Sequence, residues 1–96
     1  MDNTNILAIL KQDLQISVTA LDEYLTNCIV LSRAAIAREG IDIQDTVEDG
    51  MLIEMYAAYF YRKRRDDVPM PRMLRLALNN RKLSTVLLDS FGNKEE

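Results

Sequence analysis

Two groups of charged residues in this chain have types and spacings that chemistry could use. The first is acidic. Asp45, Glu48 and Asp49 stand close together, and Asp45 and Asp49, four apart, can share a helix face. Paired carboxylates can move a proton or hold a divalent cation. The chain offers them no histidine, no second matching acidic motif, no paired cysteines and no glycine-rich phosphate loop. These acids also fall at an expected helix start, where the helix dipole stabilises negative charge without any ligand. Asp22 and Glu23 fall at another. No catalytic residue, metal ligand or cofactor is assigned, and the chain is read as a non-enzyme.

The second group is basic. Arg62, Lys63, Arg64 and Arg65 directly follow the run 51–61, in which ten of eleven residues are apolar or aromatic and only Glu54 interrupts. A helix this apolar all round belongs at the centre of a bundle or between subunits. The run is shorter than the ~20 residues that cross a bilayer, and no membrane contact is expected. The four cations complement the dipole at the helix end. With Arg72, Arg75, Arg81 and Lys82 they could bind nucleic-acid phosphates, although no zinc finger or glycine–aromatic interleaving accompanies them. Glu54 must reach water or a cation. Arg33, Arg38 and the basic cluster are available partners, and both a subunit-interface ion pair and an outward-reaching side chain are open. Tyr56, Tyr59 and Tyr61 suit an interface as well as a core.

Ninety-six residues make one domain (1–96) with a modest core. The net charge of −3 is unevenly spread: residues 1–54 carry −7, residues 55–88 carry +6 and the last eight carry −2. An acidic half and a basic half can pair between copies, so self-association is expected. Cys28 is the one cysteine. It falls on the apolar side of a helix and reads as a small buried hydrophobe. The start MDNTN lacks the features of a signal peptide, which places the chain in a reducing compartment.

Helical spacing predicts four helices near 5–14, 19–39, 46–65 and 71–80, an all-α, small four-helix bundle with two longer central helices and short ones at each end. Thr4 or Asn5 can cap the first, Ser17 or Thr19 the second and Thr46 the third, while Gly40 ends the second and Pro71 opens the fourth. The expected core is Leu21, Leu25, Ile29, Ile36, Met55, Ala58, Tyr59, Leu74 and Leu78. In the third helix, Val47, Met51, Met55, Ala58 and Tyr59 form one stripe and Leu52, Tyr56 and Phe60 another. Gly50 permits a close approach. Asn79 and Asn80 end the fourth helix. Residues 83–88 can continue as helix or lie extended on a partner, and 89–96 form a frayed tail.

The order of these elements resembles the small all-helical head–tail connector (adaptor) proteins of tailed bacteriophages and prophages. The resemblance runs through residues 6–82: a short helix closing in Leu14–Gln15–Ile16, a long amphipathic helix with Leu21, Leu25, Ile29, Ser32 and Ile36, a loop over 40–46, an aromatic-rich helix ending in charge over 52–65, and a proline-led helix with Pro69, Pro71, Leu74 and Leu78. It implies a helical bundle without enzymatic activity that forms a homo-oligomeric ring under the portal protein. Such a ring joins the portal to tail or stopper proteins and extends the channel through which DNA passes without sequence-specific binding. It implies a location at the virion head–tail junction, and in the bacterial host cytoplasm during assembly. On this resemblance, Asp42, Asp45, Glu48 and Asp49 form a channel-facing or docking loop. Glu54, Arg62, Lys63, Arg64 and Arg65 form the subunit or portal interface. The alternative function is a small helical nucleic-acid-binding adaptor or regulator using the basic cluster 62–82.

Overall fold

Each stretch of three-and-four spacing folds as helix. The structure, a computed structural model, describes residues 1–92, with side chains placed through residue 87. Helix α1 spans Asn3–Leu14, α2 Asp22–Arg38, α3 Val47–Asp66 and α4 Arg72–Gly92, and no strand occurs among the described residues. The chain is an all-α four-helix bundle. Helix α3 is its centre, with α1 and α2 packed on it and on each other, and α4 laid mainly against α3.

Local chemistry explains most termini. Thr46 accepts the Asp49 amide at 3.1 Å and starts α3 as expected. Gly40 takes φ 94° just after α2, a conformation that costs glycine little. Two caps differ from expectation. Asp2, and not Thr4 or Asn5, caps α1 by accepting the Asn5 amide at 2.8 Å. Neither Ser17 nor Thr19 supplies a side-chain cap to α2, where the Asp22 amide donates to the Thr19 carbonyl at 3.0 Å.

The fourth helix corrects the sequence reading. It opens at the Pro71 carbonyl, which accepts the Arg75 amide at 3.1 Å, and passes straight through Asn79 and Asn80. Asparagine is only a mild helix breaker, and no proline or glycine follows Pro71 until Gly92. Residues 83–88 are therefore helix. The expected tail begins as helical backbone, and its remainder, 93–96, lies outside the described residues.

Leu25, Ile29, Ile36, Ala58, Tyr59, Leu74 and Leu78 are buried, together with Ile6, Leu10, Ile41, Leu52, Ile53, Tyr56 and Ala57. Leu21 and Met55, expected in this core, are half-buried at its rim. Leu21 stands just before α2, at the edge of the packed face. Met55 is displaced because α3 turns a different face inward. Ile53, in neither expected stripe, is 1% exposed, while Val47 and Met51 point to solvent at 68% and 37%. A run that is apolar on every side has no periodicity to mark its inner face. The close approach at Gly50, expected from another helix, is made by Met1, ahead of α1: a Cβ there would lie 2.8 Å from the Met1 side chain.

Ile29 is fully buried in α2. Ile29→Ala should lower unfolding stability by about 2–5 kcal/mol, the usual cost of a cavity in a close-packed core. Urea titration checks it, and an unchanged midpoint would show that this face is loosely packed.

Candidate functional site

Helix α3 separates charge along its length. Its 20 residues span roughly 30 Å at the α-helical rise. The acidic loop and the acids of its first turn lie at one end, and Arg62 to Arg65 lie at the other.

At the acidic end, Asp42, Asp45 and Glu48 are exposed. The N-terminal ammonium of Met1 pairs with Asp45, which lowers the Asp45 pKa. Asp49 does not join this surface. It is 2% exposed and faces inward. Arg81 of α4 donates to it from Nε at 2.7 Å and from Nη2 at 3.0 Å, and the Gln44 amide donates at 2.8 Å. The same guanidinium reaches the Asp42 carbonyl at 2.8 Å and the Thr85 hydroxyl at 2.6 Å. Burial pushes the Asp49 carboxyl up, but Arg81 and the Gln44 amide more than offset it and leave the carboxyl below its ordinary range. A second clamp holds α4 to the end of α2. Glu39 accepts from Arg75 at 2.9 and 3.2 Å and lies 2.7 Å from the Lys82 ammonium. Arg75, Arg81 and Lys82, counted in the basic half, are thus engaged inside the protomer.

Glu54 also differs from expectation. It is 3% exposed, inside the protomer, and so is absent from any charged surface. Arg33 is occupied elsewhere, donating to Asn3 at 2.8 Å and to the Met1 carbonyl at 3.1 Å. The groups that act on Glu54 are Asp13 of α1 and Arg62 of α3. Burial and then the Asp13 carboxylate raise its pKa to about 8, and Arg62 offsets only part of this. Its Oε2 is buried without a hydrogen-bond partner among the described residues. Sequence reasoning overlooked Asp13, because it reaches Glu54 only through the packing of α1 on α3.

At the basic end, Arg62, Lys63, Arg64 and Arg65 are exposed. Arg62 lies 3.9 Å from Asp13. Lys63 sits over the Tyr59 ring at 5.7 Å and Arg64 over the Tyr24 ring at 5.1 Å. Neither Arg64 nor Arg65 has an acidic partner among the described residues. Tyr24 of α2 approaches Tyr61, ring centres 6.2 Å apart, and these two with Arg64 and Arg65 line an open cleft of about 400 Å³. Two phenol rings beside two guanidinium groups can hold an acidic side chain, a phosphate or a flat ring. Tyr24 was not legible as a site residue, since the cleft is assembled from α2 and α3. Cys28 is buried near Tyr24, and burial raises its thiol pKa.

No group of three or more potential metal-ligating side chains occurs among the described residues, and no described helix is long and apolar enough to cross a membrane. No protein-family model matches the chain, and neither a curated protein nor a solved structure matches it.

Two predictions follow from the buried acids. The Glu54 carboxyl titrates higher in the folded protein, about 8, than the ~4.3 of an unfolded chain. Its protonated form therefore supports the fold fully below ~4.3, and that support disappears as pH rises through about 8. Glu54→Gln should match wild type in urea unfolding near pH 4, then exceed it by up to about 5 kcal/mol at pH 9. A constant difference at both pH values would remove the assignment. Arg81→Met keeps the side-chain stem but strands the Asp49 carboxylate, at a cost of about 3–5 kcal/mol. Amide exchange should show α4 losing protection before α1, α2 and α3; uniform loss would deny Arg81 its anchoring role.

Proposed function

We propose that this protein is a structural virion component, a ring-forming connector between the portal of a phage head and its tail or stopper proteins. One observation carries the proposal: two unlike charged surfaces lie at opposite ends of a single rigid helix. Rings close through heterologous contacts, in which one surface meets a different surface of the next copy. The exposed pole of Arg62, Lys63, Arg64 and Arg65 provides one such surface. Exposed acids of the neighbour's first half, or acidic groups of the portal, provide the other. The loop acids Asp42, Asp45 and Glu48 suit a channel lining, since they repel a DNA backbone and favour its passage. Asp49 is withdrawn from that role by Arg81. The order of helices, which resembles that of head–tail connectors, supports the same reading.

A second reading has its own observation. The cleft of Tyr24, Tyr61, Arg64 and Arg65 combines cations with aromatic faces, the combination that holds single-stranded nucleic acid. In that case the protein is a nucleic-acid-binding adaptor, and its affinity falls steeply with salt.

The double reversal Arg64→Glu, Arg65→Glu separates these outcomes. Both residues are exposed, so helicity should be unchanged in the far-ultraviolet spectrum. Ring occupancy on reconstituted portals, counted by electron microscopy, should fall severalfold, and further at low salt, where repulsion is less screened. Normal occupancy at low salt would remove the charged-interface proposal. Wild-type protein that joins no portal or tail component, yet binds DNA tightly, would favour the adaptor.

A further inference from the structure

Helix α4 presents two unlike faces. The bundle and its clamps use Leu74, Arg75, Leu78, Arg81, Lys82 and Thr85. The opposite face carries Met73, Leu76, Asn80, Leu83 and Leu87, spaced alternately by three and four residues. Its apolar members are 71%, 46%, 58% and 46% exposed, in that order, and Asn80 is exposed too. Alternating three–four spacing is the seam of a coiled coil. On that repeat Met73, Asn80 and Leu87 occupy the a positions and Leu76 and Leu83 the d positions. The residues buried in the bundle or clamped to it occupy b, c and f, on the far side of the helix from the seam; Ala77 at e packs at the edge of the core, and Asn80 borders the groove beside Met51 and Met55 of α3. A partner helix can lie along the seam without disturbing the bundle.

We infer that this seam pairs with the same seam of a second copy, α4 beside α4 in parallel about a two-fold axis, with the two Asn80 carboxamides facing each other. Three features select this occupant. A single asparagine at an a position fixes register and partner number, and leucine at d is the residue found there in parallel two-stranded pairs. A carboxamide both donates and accepts, so it satisfies its twin on the axis, whereas an apolar partner would leave it unpaired. The flanking residues Ala77, Asn79, Ser84 and Val86 carry no charge, and Arg72 faces the Ala77 position across a parallel pair. Like surfaces therefore meet without repulsion.

The seam covers two heptads, fewer than the three or four that make a self-sufficient coil. Helix α4 is already held by Asp49 and Glu39, so less ordering entropy opposes the pairing. The contact is independent of the ring proposal. It uses a different surface from the basic pole, and an isologous contact closes at two copies, so it describes the free protein.

Sedimentation equilibrium of the full chain should show a monomer–dimer equilibrium with a dissociation constant on the order of 10 μM, as suits a small interface. Leu83→Lys, at an exposed site, should raise that constant at least tenfold with an unchanged far-ultraviolet spectrum. Arg64→Glu with Arg65→Glu should leave it unchanged. Asn80→Cys should crosslink to itself under mild oxidation, since facing a positions bring Cα atoms within disulfide range. A wild-type monomer at all concentrations would overturn the inference and leave the seam to another occupant. A dimer insensitive to Leu83→Lys would place the contact elsewhere. A dimer without the Asn80→Cys crosslink would exclude the parallel register.

Discussion

The position of α4 depends on one buried carboxylate. Asp49 sits in the first turn of α3 with almost no solvent contact. An isolated charge there would be costly, and three sets of donors make it tolerable. Arg81 supplies two charge-assisted bonds, the Gln44 amide a third, and the helix N-terminus a favourable dipole. Arg81 is in turn shared with the Asp42 carbonyl and Thr85. One carboxylate thus joins the loop before α3, the start of α3 and the middle of α4. Such a pair contributes little net stability over an apolar pair of the same shape. Its effect is geometric: it sets the rotation of α4 about its own axis. Leu74 and Leu78 then face the core, and Met73, Leu76, Leu83 and Leu87 face out.

The same packing decides which charges are available to partners. Nominally, the chain divides into an acidic and a basic half. In the folded protein Asp49 and Glu39 are paired with Arg75, Arg81 and Lys82 of α4. Glu54 is withdrawn into the core beside Asp13. What remains includes an exposed acidic loop at one end of α3 and, at the other, four exposed cations followed by the exposed acids Asp66 and Asp67. The proposed connector would use cations to hold its neighbours and acids to let DNA pass.

Glu54 is the point of greatest local conflict. Every neighbouring position in α3 from Leu52 to Tyr59, apart from Met55, is buried. Its carboxyl meets a like charge, Asp13, more strongly than an opposite one, Arg62. The fold answers by favouring the neutral acid, which removes the charge where no partner can be brought. The conflict lies where α1 packs on the central helix, and so makes that junction the pH-sensitive part of the bundle.

By itself, the sequence determined what short-range chemistry can determine. Thr46 and Gly40 marked two helix ends because a cap and a left-handed residue act within a single turn. Ile29, Ile36, Leu74 and Leu78 declared their faces because they recur with other apolar residues at spacings of three and four. Tertiary structure alone decided the rest. The inner face of α3 was ambiguous because an all-apolar run has no polar side to exclude. The length of α4 was misread because two asparagines weigh little against a helix with no breaker before Gly92. Asp49 and Arg81 lie 32 residues apart, and Tyr24 meets Tyr61 and Arg64 across two helices. No spacing rule links such pairs, because the bond between them exists only once the helices have packed.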